Sequence, residues 1–172
     1  LWDTQIALPA VAGGGRTLEV YLAQHGEATP KQFDPARPLT EQGTKAVEKV
    51  AVLAARLGLE VSQIRHSGKT RSRQTAEILG ATLSPAEGVV GVPGLAPRDD
   101  VQPVAQALES EAQPVMLVGH LPFLARLAGL LLTGDANNHV LSFRTGGIVC
   151  LSHDQDRWQV AWILTPEMAG VG

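Results

Sequence analysis

Residues 18–23 (LEVYLA), 61–66 (VSQIRH) and 114–118 (PVMLV) are short apolar runs, and each breaks directly into a polar turn. The turns are Gln24-His25-Gly26-Glu27, Ser67-Gly68 and Gly119-His120. Beyond them the apolar positions switch to the three-to-four-residue spacing of a helix. Thr40 is a good N-cap for a helix with Val47, Val50, Leu53, Ala54 and Leu57 on one face, closed by Gly58. Residues 70–79 read as a second helix, and Pro122 opens another whose Leu124, Leu127, Ala128 and Leu131 face inward. Between these lie a short β-like piece at Val89 and Val90 and a helix capped by Asp99 or Asp100 that runs to Leu108. Residues 148–152 and 158–164 flank the turn-like Asp154-Gln155-Asp156-Arg157, which predicts a hairpin. Strands alternating with amphipathic helices need a mostly parallel sheet covered on both faces. The expected fold class is therefore α/β, a three-layer sandwich with an antiparallel C-terminal hairpin.

A length of 172 residues suits one domain, expected over 18–172. Residues 1–17 lack the basic start and apolar core of a secretory signal and read as a flexible extension ending in Gly13-Gly14-Gly15. With 44% hydrophobic and 18% charged residues the chain is not intrinsically disordered. No apolar run reaches the ~18 residues of a membrane span, since Arg126 interrupts the best one, so no membrane partner is expected. A net charge of −3 argues against a nucleic-acid coat. Cys150 stands alone and cannot form an internal disulfide, which points to a reducing, cytoplasmic setting.

In open α/β sheets, sites lie beyond the C-terminal ends of the strands. Here those ends carry His25, the 67–71 turn and His120. Basic residues in the first turn of the second helix oppose its dipole, an arrangement favoured where an anion sits. Ser67-Gly68-Lys69-Thr70 ends like a phosphate-wrapping P-loop, but Gln63 stands where that loop needs its first glycine. The five histidines show no H-x-x-x-H or H-E-x-x-H spacing, so His66, His139 and His153 read as structural or exposed. His25 and His120, with Arg71, suit phosphoryl transfer. A neutral imidazole can attack phosphorus and hold the phosphoryl group, while a guanidinium and a second imidazole stabilise its oxygens. That chemistry needs no metal and no cofactor.

Four segments in order, LEVYLAQHGEA at 18–28, RPLTEQG at 37–43, HSGKTRSRQTAE at 66–77 and VMLVGHLPFL at 115–124, resemble the histidine phosphatase (phosphoglycerate-mutase-like) superfamily. The resemblance is to its short SixA-type phosphohistidine phosphatase branch and runs from Leu18 to Glu167, ending in WILTPE at 162–167. It implies a phosphoglycerate-mutase-like fold, His25 as nucleophile, and Arg71 and His120 as phosphate ligands. It also implies Gln24, Gly26, Arg37 and Ser67 as substrate-binding or pocket-shaping residues. Two departures stand out. The branch reads Arg-His-Gly where this chain has Gln24-His25-Gly26, which removes a cation and predicts weaker activity; Arg37 is a better replacement than Arg73, which should point elsewhere. Gly94 lies in the loop near which many members carry an acidic proton donor, and Glu27, Asp99 and Asp100 read as surface or capping groups. Loss of that acid favours phosphohistidine, whose leaving imidazole is less demanding than an alkoxide. Short connections at 27–40 and 81–99 leave no room for a lid. The implied function is a metal-independent phosphatase acting on a phosphorylated protein. Its alternatives are a weak or inactive member that binds phosphate, a phosphorylated partner or a complex, and a phosphatase of small phosphorylated substrates.

Overall fold

The structure, a computed structural model, describes residues 17–170, so all but the last residue of the expected N-terminal extension lies outside it. Ten elements follow in order. They are β1 (Leu18–Gln24), α1 (Glu41–Arg56), β2 (Gln63–His66), α2 (Thr70–Leu83), β3 (Val89–Gly91), α3 (Gln102–Glu109), β4 (Val115–Gly119), α4 (Phe123–Thr133), β5 (Ile148–Asp154) and β6 (Arg157–Leu164). The strands form one sheet in the order β3-β2-β4-β1-β5-β6. The first four are mutually parallel, and β5 and β6 add the antiparallel hairpin.

Alternation along each strand sends its side chains to two different cores. Tyr21, Ala23, Ile64, Met116 and Val118 pack against Val47, Val50, Ala51 and Ala54 of α1 and Ala76 and Leu79 of α2. Val20, Leu22, Val115 and Leu117 face the other way, onto Ala105 and Leu108 of α3 and Leu124, Leu127 and Ala128 of α4. This is the expected three-layer α/β sandwich. Each fully buried leucine contributes roughly 1.5–3 kcal/mol relative to exposure, so the two cores fix which strand ends come together. No helix among the described residues is long and apolar enough to cross a membrane.

Several boundaries differ from expectation, among them the start of β2, at Gln63 rather than Val61, and two helix ends. Helix α2 continues to Leu83 and stops at Ser84, which adopts a left-handed φ of 50°. The N-cap of α3 is Val101, not an aspartate. Asp99 instead accepts the Ala96 amide, and Asp100 accepts the Gln102 amide from just outside the helix. Both carboxylates satisfy nearby amides as capping residues do, but their loop sets them a residue or two early. The connections β1–α1 and β3–α3 contain no helix, so nothing helical covers the strand ends there.

Candidate active site

Parallel pairing in register sets Gln24 opposite Gly119, so β1 and β4 end side by side. The residues that follow them, His25 and His120, therefore emerge together, with ring centroids 4.9 Å apart. The His25 amide donates to the Gly119 carbonyl at 3.1 Å and locks the two strand exits. Strand β2 lies on the other side of β4, and its turn delivers Ser67 and the start of α2.

Hydrogen bonding defines the His25 ring. Arg71 Nε donates to His25 Nε2 at 3.1 Å, so Nε2 carries the lone pair. Nδ1 then bears the proton and donates it to the Gly26 carbonyl at 2.7 Å. Burial, opposed by the Gly26 carbonyl and reinforced by the charges of Arg71 and Arg37, holds the ring below its ordinary pKa of 6.5. His25 is thus a neutral imidazole at pH 7 with a fixed nucleophilic nitrogen.

His120 is only 1% exposed, and its Nε2 lies 2.6 Å from Ser67 Oγ. Burial first, and then competition with the neighbouring His25 ring for a proton and the charges of Arg71, Lys69 and Arg37, push its pKa down to about 3. It too is neutral, and one of its nitrogens can offer an N–H to an anion. Burial and the nearby Arg37 lower the Arg71 pKa, although a guanidinium remains charged in proteins. Arg37, at a left-handed φ of 51°, donates from Nε to the Thr29 carbonyl at 3.4 Å. Its charge acts on His25, Arg71 and His120, which sets it beside the same pocket. Arg73 points away, 3.8 Å from Glu77.

The Gly26 amide donates to Thr75 Oγ1 at 3.0 Å, and its carbonyl accepts from His25 Nδ1. A Cβ there would crowd Val47 Cγ2 at 2.8 Å and the Gly43 carbonyl at 3.1 Å. Gly26 therefore lets α1 approach and shapes the pocket by orienting the His25 ring. Gln24 donates from Nε2 to Thr145 Oγ1 at 3.4 Å, while its buried Oε1 has no partner.

Three contributors were not assigned a role from sequence. Ser72 Oγ donates to the Val118 carbonyl at 2.7 Å and accepts the Ser67 amide at 3.3 Å, tying the β2 turn to the end of β4. Thr75 bridges Gly26 and the Arg71 carbonyl. Lys69 occupies the N-cap of α2 and adds its charge at His120. The signal for all three was a polar residue in the first turn or two of a helix that follows a strand. No carboxylate figures among the groups acting on His25 or His120. No cluster of three or more His, Cys, Asp or Glu able to hold a metal is found among the described residues. A mostly apolar cavity of about 810 Å³ lies against α3, lined by Val92, Leu95, Val104 and Leu117 with Arg65 and Asp99 among its polar residues, and does not include His25, Arg71 or His120.

Comparison with known proteins gives the same picture. An uncharacterized protein of Picosynechococcus sp. is 37% identical over 150 residues, covering 83% of this chain and 89% of that protein. The structure of the protein histidine phosphatase SixA complexed with tungstate superposes with a TM-score of 0.75 at 26% identity, covering 86% of this chain and 97% of that one. A protein of Agrobacterium tumefaciens provisionally named phosphohistidine phosphatase SixA is 30% identical with a TM-score of 0.70, again over 86% and 97% of the two chains. No protein-family model matches the sequence. With paired strand-end histidines, an arginine on His25 and this extent of likeness, the chain belongs to the histidine phosphatase superfamily, in its SixA-type branch.

Proposed function

We propose that the protein is a phosphatase that removes the phosphoryl group from phosphohistidine on a protein by way of a phosphorylated His25. The observation that carries this reading is the His25 ring itself, neutral, with Nδ1–H held by Gly26 and the Nε2 lone pair presented beside Arg71. In the first step Nε2 attacks phosphorus and the bond to the leaving imidazole nitrogen breaks. Its electron pair returns to that ring, which takes a proton from water. In the second step water attacks phospho-His25, the P–Nε2 bond breaks with its pair returning to Nε2, and inorganic phosphate leaves. Arg71, Arg37 and the His120 N–H stabilise the charge on the transferring oxygens, so the reaction is written without a metal. Among the described residues no carboxylate hydrogen-bonds to His25 or His120, which fits an imidazole leaving group better than an alkoxide. A strand end without a helical lid suits a phosphorylated side chain projecting from a folded partner. The free, buried Cys150 accords with a cytoplasmic setting.

The test is phosphate release from a phosphohistidine peptide without added metal, comparing the protein with His25→Ala. Release lost in the variant supports the reading; equal release, or none from either folded protein, overturns it. Faster turnover of sugar or nucleotide monophosphates would instead make it a small-molecule phosphomonoesterase. Gln24 favours one rival, a phosphate-binding member without turnover, because its amide carries no charge and leans toward Thr145. That rival predicts anion binding that persists while His25-dependent release is absent.

A further inference from the structure

Lys69 is a remnant of the Gly-Lys-Thr string that fails as a P-loop, and nothing in the reaction above uses it. Its position is unfavourable for a helix. It is the N-cap of α2, where Ser, Thr, Asp or Asn would accept a first-turn amide, and it makes no side-chain capping bond. The same first turn holds no acidic residue, so the lysine and Arg71 both face the positive end of the dipole. A local rule broken at the rim of a site indicates selection for something other than helix stability.

The geometry says what that is. The Lys69 backbone amide donates to Ser67 Oγ at 3.4 Å, and Ser67 Oγ lies 2.6 Å from His120 Nε2, so the Lys69 backbone is two hydrogen bonds from the second histidine. Its exposed ammonium contributes to the positive potential at His120. Among the described residues no carboxylate pairs with Lys69, Arg71 or Arg37. The charges of all three act at His120. Gln24, adjacent to His25, adds none.

We infer that Lys69 is a phosphoryl-binding residue that supplies, from the His120 side of the pocket, the positive charge that Gln24 does not supply from the other. The inference rests on the reading of this pocket as a phosphoryl site. A flexible lysine reaches an anion as a point charge from a mobile stem, whereas a guanidinium at position 24 would do so from the strand end. The two are therefore interchangeable in charge, and a cation at position 24 makes Lys69 redundant.

The experiment measures tungstate binding to the full chain by calorimetry, for the parent, Lys69→Asn, Lys69→Arg, Gln24→Arg and the Gln24→Arg/Lys69→Asn pair. Lys69→Asn is expected to weaken binding about tenfold, as befits one charge-assisted contact, while Lys69→Arg stays within about threefold of the parent. Asn is the better N-cap, so the thermal midpoint of Lys69→Asn should hold or rise, which separates lost binding from lost folding. In the Gln24→Arg background the Lys69→Asn loss should shrink below about threefold. Binding by Lys69→Asn within twofold of the parent overturns the assignment, as does an equal tenfold loss in both backgrounds. Tungstate binding that depends on Lys69 without His25-dependent phosphate release sustains this inference and overturns the phosphatase reading. Release that persists with Lys69→Asn binding unchanged does the reverse. A parent chain that does not bind tungstate overturns both.

Discussion

Helices α1 and α2 both begin against the His25-Gly26 turn, yet their first turns are built on opposite principles. At α1, Thr40 Oγ1 accepts the Gly43 amide at 2.9 Å, and Glu41 complements the positive end of the dipole. The Thr40 amide donates to the Glu27 carbonyl at 3.0 Å, and Gly43 lies so close to the Glu27 backbone that a Cβ would collide with it. Everything there is satisfied from within the chain. At α2 the cap position is Lys69, no side chain caps the helix, and Arg71 turns its guanidinium to His25. One helix start holds the His25-Gly26 loop in shape; the other presents positive charge at an uncapped end, as the proposed phosphoryl site requires. Substitutions at α1 should thus move stability, and substitutions at α2 should move turnover.

The largest effect is expected at α2. Arg71→Ala removes the donor on His25 Nε2 and a cation on the transferring phosphoryl group, so release from a phosphohistidine peptide should fall by about 10³-fold. The thermal midpoint should change little, because the Arg71 carbonyl bond to Thr75 is backbone-borne and survives. Turnover within tenfold of the parent would break the comparison.

The second effect is a pH dependence that the pocket imposes on the whole fold. His120 has a pKa of about 3 when folded and about 6.5 when unfolded, and His25 is lowered in the same sense. Between these values the unfolded chain binds more protons, so stability rises with pH across about 3 to 6.5 and is flat above. Between pH 4.5 and 7.5 the change attributable to His120 is on the order of 3 kcal/mol. Denaturant melts at pH 4.5 and 7.5 check it, and His120→Asn should flatten most of the slope. The proposed reaction through a neutral His25 predicts turnover that stays level from pH 7 to 8.

What the sequence revealed, and what it hid, follows the same division. The strand-then-helix alternation, the Thr40 cap and the exits carrying His25 and His120 were legible because each depends on residues within a few positions. The resemblance implies a substrate-binding or pocket-shaping part for Gly26, but not what space its missing side chain leaves. The room is filled by Val47 and the Gly43 carbonyl, from a helix that begins fifteen residues later. Ser72 and Thr75 act across bonds spanning 46 and 49 residues, which no local pattern encodes. Lys69 was visible only as part of a motif that the spacing excluded. The α3 cap was misplaced because an aspartate serves a loop amide and a helix amide equally well.

The third effect returns to α1. Gly43→Ala would drive a methyl into the Glu27 carbonyl and amide, which are backbone and cannot rotate away. Overpacking of this kind costs about 1–3 kcal/mol. A fall in thermal midpoint with anion affinity reduced less than about threefold at a temperature where the variant is folded is expected. An unchanged midpoint would show that the two segments are not held as closely as the Thr40–Glu27 bond implies.

The smallest effect is also the most direct exchange between the two helix starts. Thr40→Lys gives α1 the cap residue of α2. It removes the oxygen that accepts the Gly43 amide, leaves the backbone bond from position 40 to Glu27 intact, and puts an ammonium beside the positive end of a dipole that Glu41 now complements. The lost cap costs about 1 kcal/mol, and the charge adds a few tenths at moderate salt. Thr40→Ala separates the two, since it loses the cap without gaining the charge. Both variants should lower the thermal midpoint by a few degrees, with Thr40→Lys slightly the lower and recovering toward Thr40→Ala as salt is raised. Tungstate affinity should change less than twofold in either, because an added cation helps only where the pocket can use it. If Thr40→Lys strengthened tungstate binding as much as Lys69→Asn weakens it, any positive charge near these loops would serve, and the distinction between the two helix starts would be one of net charge alone.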